Sequence, residues 1–161
     1  MQILLGKRET PYWRYAMKTL VIYDSTYGNT EKIAQAIGQA IAAEVHRVGQ
    51  VSPSDLKAFD FVIIGSPTLG GRPTEAIQAL LKAAGPALQG VNAAAFDTRL
   101  TSKWVRIFSY AAPRMATSLK EMGATLLGSP EGFFVRGKEG PLQEGESERA
   151  AGWAKEIVKG L

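Results

Sequence analysis

The sequence predicts an α/β protein built on a doubly wound parallel sheet, and three observations lead to this prediction. Apolar runs of strand length recur along the chain, at Leu20–Tyr23, Phe59–Gly65 and Val91–Phe96. Segments with helical periodicity separate these runs. Turn-rich segments that carry hydrogen-bond donors follow the carboxyl ends of the first, third and fourth strands. Alternating strands and helices are typical of parallel sheets covered by helices on both faces, which bind ligands at the carboxyl ends of their strands.

Composition excludes several classes of site. The chain has 161 residues, a length that suits one domain, and its 45% hydrophobic and 21% charged residues are ordinary for a globular protein. The absence of cysteine excludes disulfides, thiolate metal sites and cysteine nucleophiles, and the single histidine, His46, excludes a multi-histidine metal site. The net charge of +4 is scattered, which argues against nucleic-acid binding. No apolar stretch approaches the ~20 residues of a membrane span.

The first sixteen residues have no clear strand or helix period, whereas Met17 leads directly into the first strand. We therefore expect residues 1–16 to be a dispensable, non-native extension and residues 17–161 to be the domain, with Met17 as the functional start. The alternative is a genuine arm that packs on a sheet edge through Tyr12, Trp13 and Tyr15.

The strand at Leu20–Tyr23 is followed by a turn that is suited to binding a phosphate. Ser25, Thr26 and Thr30 supply hydroxyl groups, and Gly28 lets the backbone approach a ligand closely. The apolar spacing that follows predicts a helix over about 31–43. The first amides of a helix lack internal acceptors and lie at the positive end of its dipole, so an anion is stabilised there.

The type of phosphate follows from what the turn lacks. It contains no lysine or arginine, so it does not match the nucleotide-binding G-x-x-x-x-G-K-[ST] motif. With Gly28 as its only glycine, it does not match the dinucleotide-binding G-x-G-x-x-G motif either. Hydroxyls and amides alone suit a single terminal phosphate monoester. The alternative is an ordinary turn in which Thr30 is the N-cap of the helix.

The remaining elements follow in alternation. Strands are expected at Val45–Val51, where His46 is a polar face residue, at Phe59–Gly65 in the centre of the sheet, and at Val91–Phe96. The last strand region is expected in two parts, at 124–127 and 132–135. Thr74 is expected to cap a helix that ends before Gly85, and the residues from Asp97 to Ser109 are expected to form a loop. Further helices are expected at about 110–122 and 146–159.

The stretch Val21–Thr30, followed by Ala34 and Ile37, resembles the first loop of the flavodoxin family, with Tyr27 at a position where that family usually has a smaller residue or threonine. The resemblance extends over about residues 18–160. It implies a five-stranded parallel sheet of order 2-1-3-4-5 in a three-layer α/β/α sandwich, with FMN as the cofactor. The phosphate-binding residues that it implies are Ser25, Thr26, Tyr27, Gly28, Asn29 and Thr30.

The resemblance also implies two loops that contact the flavin ring. The second loop would contribute Ser66, Pro67, Thr68, Leu69, Gly70 and Gly71, with a carbonyl near Gly70 facing the flavin N5. The third would contribute Asp97, Thr98 and Arg99, and Trp104 would cover one face of the ring. A cation at Arg99 or Lys103 near N1 would favour the reduced flavin. Each of these roles has an alternative. The second loop could be a plain connection between a strand and a helix, Arg99 could form a surface ion pair, and Trp104 could pack in the core.

Three functions fit these residues. The first is an FMN protein that transfers electrons between a reductase and an acceptor, either a redox partner protein or a small molecule. The second is an NAD(P)H-dependent quinone or flavin reductase that uses bound FMN, which the positive charge and Leu69 in place of an aromatic residue favour. The third is a flavin-free interaction module. The protein is expected to be cytoplasmic, as a monomer or a homodimer, and not to insert into a membrane. We expect neither a set of catalytic side chains nor a metal site.

Overall fold

The computed structural model describes residues 17–101 and 110–161, which form a single sheet covered by helices. The strands are β1 (Thr19–Tyr23), β2 (Glu44–Arg47), β3 (Phe61–Pro67), β4 (Asn92–Leu100), β5 (Thr125–Leu126) and β6 (Glu131–Val135). The helices are α1 (Asn29–Ile41), α2 (Glu75–Ala84), α3 (Ala111–Glu121) and α4 (Glu146–Lys159). Residues 1–16, and with them the predicted extension, lie outside the described residues, as do Lys103 and Trp104.

The order of the strands in the sheet is β2-β1-β3-β4-β5, and every pairing is parallel. The predicted order 2-1-3-4-5 is therefore confirmed. The last strand region consists of two strands, because β5 pairs with the beginning of β4 and β6 pairs with its end. This places the end of β6 beside the carboxyl end of β4.

Two apolar layers pack against opposite faces of the sheet, which confirms the α/β/α sandwich. Residues alternate along the central strands, as the pleat of a strand requires. Val21 and Ile63 lie in the layer beneath α1 and α4, whereas Ile22 and Ile64 lie in the layer beneath α2 and α3. The central strands are buried on both faces, and this explains their continuous apolar sequences.

Two predicted strands, β2 and β3, differ in their bounds from the observed ones. β3 begins at Phe61 rather than Phe59, because Asp60 lies at a bend and bonds to the residue that precedes β1: its carboxylate accepts a hydrogen bond from the amide of Lys18 at 2.9 Å, and its amide donates to the Lys18 carbonyl at 2.8 Å. β2 ends at Arg47 rather than Val51. The next residues, Val48–Gln50, form a 3₁₀ turn in which the Gln50 side chain accepts from the Arg47 amide.

The predicted loop from Asp97 to Ser109 was also wrong at its start. β4 continues to Leu100, and its residues 97–100 pair with β6. The first helix begins at Asn29, two residues earlier than expected, with Gly28 rather than Thr30 at its N-cap. The predicted cap of α2 is confirmed, since the Thr74 hydroxyl accepts a hydrogen bond from the Ile77 amide. Pro113 lies in the first turn of α3, where proline is tolerated.

No helix in residues 17–101 and 110–161 combines the length and the apolar character that crossing a bilayer requires. The same residues contain no cluster of three or more acidic or histidine side chains that could hold a metal ion.

Candidate functional site

A cavity of about 310 Å³ lies at the carboxyl edge of the sheet, where the segments after β1 and β3 meet the end of β4. We call it the edge pocket. Parallel sheets of this kind bind ligands at this position. Its lining residues are Ser25, Thr26, Tyr27, Asn29, Thr30, Pro67, Thr68, Leu69, Thr98, Arg99, Leu100, Val135 and Lys138. Four segments that are distant in sequence therefore share one cavity.

The turn between β1 and α1 is folded around the side chain of Ser25. The Ser25 hydroxyl oxygen accepts a hydrogen bond from the amide of Gly28 at 3.0 Å and a longer one from the amide of Glu31 at 3.4 Å. Gly28 has a φ of 91°, a conformation that glycine adopts without the steric cost of a side chain. The turn can therefore enter α1 abruptly and expose the amides of the first helical residues.

Four amides of this turn remain without an acceptor in the part of the chain that the structure describes. They belong to Thr26, Tyr27, Asn29 and Thr30. Asn29 and Thr30 open α1, so their amides lie at the positive end of the helix dipole. Free amides at a helix N-terminus that lines a cavity are suited to the oxygens of a phosphate. The residues present therefore fit a phosphate monoester, as the sequence predicts.

Two contacts from outside the turn hold it in place. The Arg47 guanidinium on β2 donates to the Ser25 carbonyl at 3.0 Å and to the Asp24 carboxylate at 3.3 Å. The Asn29 side chain donates to the Glu139 carbonyl at 3.2 Å, in the loop that follows β6. The same loop brings Lys138 to the edge pocket, which supplies the cation that the turn itself lacks.

The second predicted loop contains a tight hairpin. Leu69 and Arg72 exchange two backbone hydrogen bonds, of 2.8 and 3.0 Å, and the intervening Gly70 and Gly71 have φ values of 56° and 78°. Two successive positive φ values are typical of a type I′ turn. Ser66 lies at the start of this loop but is fully buried, and its hydroxyl joins the two ends of the loop by accepting from the Thr74 amide.

Asp97 is buried inside β4 and pairs with Arg99, two residues away on the same face of the strand. The guanidinium donates to both carboxylate oxygens, at 2.7 and 2.8 Å, and it lies 3.6 Å from the centre of the Tyr110 ring. Burial raises the pKa of the Asp97 carboxyl, while hydrogen bonds from Arg99, the Ala112 amide and the Thr68 hydroxyl oppose that rise. Asp97 therefore neutralises the charge of Arg99 at the wall of the edge pocket.

The predicted residues thus take different places. Ten of them line the edge pocket, whereas Gly28, Gly70 and Gly71 form turns beside it and Ser66 and Asp97 support it from within. Trp104 is outside the described residues. Sequence reasoning missed Leu100, Val135 and Lys138. The topology could have indicated Val135 and Lys138, because a strand paired with the end of β4 delivers its following loop to the same edge.

Comparisons with known proteins agree with this fold. The flavodoxin family model matches residues 21–153. A protein named NAD(P)H dehydrogenase (quinone) from Azorhizobium caulinodans is 30% identical over 146 aligned positions, which include 70% of this chain and 71% of the relative. A protein of the same name from Acidovorax ebreus is 30% identical over 149 positions, with 72% of each chain covered.

Solved structures give the same result for the fold. A flavodoxin from the domain Archaea superposes with a TM-score of 0.74 at 24% identity, covering 89% of this chain and 98% of its own. Flavodoxin 2 from Bacillus cereus superposes with a TM-score of 0.75 at 23% identity, covering 89% of this chain and 99% of its own. Since the family model spans most of the chain, the chain belongs to the flavodoxin family and is an FMN-binding flavoprotein.

Proposed function

We propose that this protein holds FMN in the edge pocket and uses it to pass electrons from NAD(P)H to a quinone or another small acceptor. The observation that carries the proposal is the set of four amides without an acceptor among the described residues, two in the turn after β1 and two at the start of α1, whose residues line a cavity large enough for more than a phosphate. The quinone dehydrogenase relatives, at 30% identity, support the reductase chemistry.

The phosphate would be held by the turn between β1 and α1. The amides of Thr26, Tyr27, Asn29 and Thr30 would donate to its oxygens. The Ser25 hydroxyl accepts from the Gly28 amide, so its own proton remains available for donation. The ammonium group of Lys138, at the wall of the same cavity, would add a charge contact.

The ring would lie against the second loop and the end of β4. Pro67, Thr68 and Leu69 line the cavity on one side, and Thr98 and Leu100 line it on another. Bound FMN supplies the electron-transfer chemistry, so the part of the protein is to bind it, orient it and set the polarity around it. The Asp97–Arg99 pair presents a neutral rather than a cationic wall, because its two charges compensate each other.

A second candidate is an electron carrier that docks on another protein, and exposed apolar side chains favour it. Tyr27, Leu69 and Leu100 line the edge pocket and are 46%, 49% and 37% exposed, the largest exposures of big apolar side chains in the described residues apart from the terminal Leu161. Apolar side chains around a redox site are suited to a partner surface. The partner would carry negative charge, since this chain has a net charge of +4.

Two experiments test both candidates. The absorption spectrum of the purified protein with added FMN shows whether the flavin binds, and anaerobic stopped-flow mixing with NADPH then shows how fast it is reduced. Rapid bleaching of the bound flavin and its reoxidation by a quinone would support the reductase. Bound flavin that NADPH bleaches only slowly would favour the carrier. If no FMN binds, both candidates are overturned. NAD(P)H as electron donor would place the protein in the cytoplasm, and size-exclusion chromatography distinguishes a monomer from a homodimer.

A further inference from the structure

A second cavity, of about 370 Å³, lies between α2 and α3, on the face of the sheet opposite α1. We call it the α2–α3 groove. It shares no lining residue with the edge pocket. Three of its lining side chains are cations, Arg72, Lys82 and Arg114. A groove with three cationic side chains is suited to an anionic ligand that carries more than one charge.

These cations are not neutralised by the rest of the described chain. No side-chain hydrogen bond or ion pair joins Arg72, Lys82 or Arg114 to any residue in 17–101 or 110–161, whereas Arg99 and Arg149 both pair with carboxylates. No aspartate or glutamate lines the groove. The positive charge of the groove is therefore available to a ligand.

The rest of the groove is suited to a flat ring. Leu81 and Met115 are buried at its base, and the partly exposed Met122 can pack its sulfur against an aromatic ring. The side-chain nitrogen of Gln78 donates to the Pro73 carbonyl at 2.8 Å, so its oxygen remains available to accept. Ser118 adds a hydroxyl group. A ligand that combines an aromatic base with phosphates would use all of these groups, whereas inorganic phosphate would use only the cations.

The groove adjoins the edge pocket across the hairpin of residues 69–72. Leu69 lines the edge pocket and Arg72 lines the groove, and two backbone hydrogen bonds join these residues. The Ala111 amide at the start of α3 donates to the Thr68 hydroxyl at 3.1 Å, which fixes the same loop to the helix that forms one wall of the groove. A ligand with phosphates between two ring systems could therefore occupy both cavities.

We propose that the α2–α3 groove binds the phosphorylated adenosine half of NADPH, with Arg72, Lys82 and Arg114 contacting its phosphates. The nicotinamide would then extend over the hairpin towards the edge pocket. Three cations favour NADPH over NADH, because NADPH carries an additional phosphate on its adenosine ribose. The role of the groove as the donor site rests on the proposed function, but binding of the adenosine phosphate does not.

Calorimetric titration of the FMN-loaded protein with 2′,5′-ADP tests the groove directly. We expect binding to the unaltered protein and about five- to thirtyfold weaker binding to a Lys82→Gln/Arg114→Gln double variant, as the loss of two exposed ion pairs would give. A Lys57→Gln/Lys120→Gln variant has the same net charge but changes lysines that do not line the groove, and it should bind as the unaltered protein does. Absence of binding, equal binding by all three proteins, or equally tight binding of inorganic phosphate would overturn the proposal.

Kinetics separate this proposal from the proposed function. The double variant should raise the KM for NADPH about tenfold, raise the KM for NADH less because NADH lacks the ribose phosphate, and preserve the FMN spectrum. If NADPH bleaches the flavin equally well in the variant, the groove proposal fails and the proposed function stands. If 2′,5′-ADP binds in the groove but NADPH never reduces the flavin, the binding site is supported and the reductase function is rejected.

Discussion

The hydroxyl oxygens of Thr30 and Thr98 lie 2.8 Å apart, and this hydrogen bond joins the first turn of α1 to the end of β4. Both residues are buried, at 1% and 5% exposure, and they are 68 positions apart in the chain. The turn between β1 and α1 and the end of β4 are therefore held together by a direct side-chain contact. The geometry of the turn depends on β4 reaching as far as Thr98.

A Thr98→Val substitution tests the contribution of this contact. Valine has the same shape but leaves the Thr30 hydroxyl without its partner, which should lower the free energy of unfolding by about 1–3 kcal/mol. A Thr30→Val/Thr98→Val double variant removes both hydroxyls and should recover most of that loss. Urea unfolding of the FMN-free proteins measures both effects. A double variant that is less stable than either single variant would contradict this account.

The Ser25 hydroxyl is expected to matter for both the turn and the cofactor. Ser25→Ala removes the acceptor of the Gly28 and Glu31 amides as well as a donor to the phosphate. The loss of one or two hydrogen bonds to a charged group corresponds to about a tenfold or greater weakening of FMN binding. Quenching of FMN fluorescence measures the affinity. Ser129→Ala, at an exposed serine outside the pocket, is the control and should leave the affinity unchanged.

Lys138 should contribute to binding of FMN but not of riboflavin. If its ammonium group contacts the phosphate, Lys138→Gln should weaken FMN two- to fivefold, as expected for an exposed ion pair of about 0.5–1 kcal/mol. Added salt should reduce the difference between the variant and the unaltered protein. Parallel fluorescence titrations with both flavins measure this selectivity, and an equal loss of riboflavin affinity would show that Lys138 acts on the ring or on the loop instead.

Glu146 is expected to make stability depend on pH. Its carboxylate accepts from Arg149 at 2.8 and 2.9 Å and from the Phe134 amide at 2.7 Å. The Arg149 hydrogen bonds, together with the Phe134 amide, lower the pKa of the Glu146 carboxyl in the folded protein, although burial opposes the change. The resulting stabilisation is therefore complete above the ordinary pKa of glutamate, about 4.3. It is lost as the pH falls through the lower, folded-state pKa.

Glu146→Gln measures this contribution. At pH 7 the variant should be less stable than the unaltered protein by about 2 kcal/mol, because charged hydrogen bonds are replaced by neutral ones. The difference should shrink as the pH falls below about 4.3. Glu148→Gln, at an exposed position in the same first turn of α4, is the matched control and should have a small effect. A Glu146→Gln difference that does not change with pH would contradict the account.

Local signals allowed the sequence to predict the strand, turn and helix between β1 and α1 and the cap of α2, whereas the strand order came from the resemblance to the flavodoxin family. These local features depend on neighbouring residues, as in the change from the apolar strand before Asp24 to the helical spacing after Thr30. The end of β4 could not be predicted in the same way, because Asp97 and Arg99 are not typical of a buried strand. Only the folded chain shows that their charges compensate each other and that Thr98, on the opposite face, contacts Thr30.

The sequence also did not predict the residues that a distant segment contributes to a cavity. Lys138 belongs to a loop more than 100 positions beyond the phosphate-binding turn, and no local pattern distinguishes it from other surface lysines. The three cations of the α2–α3 groove are also far apart in the sequence, between positions 72 and 114. Their proximity depends on the packing of two helices on one face of the sheet.

The hydrogen bond from Asn29 to the Glu139 carbonyl spans 110 positions, and it has a consequence for biosynthesis. During synthesis from the amino end, β1 and α1 leave the ribosome long before the loop that follows β6. A nascent chain would therefore have its phosphate-binding turn without the clamp from the late loop, and without Lys138. Cofactor capture should accordingly be a late event, and chains that stop before residue 136 should be released without flavin.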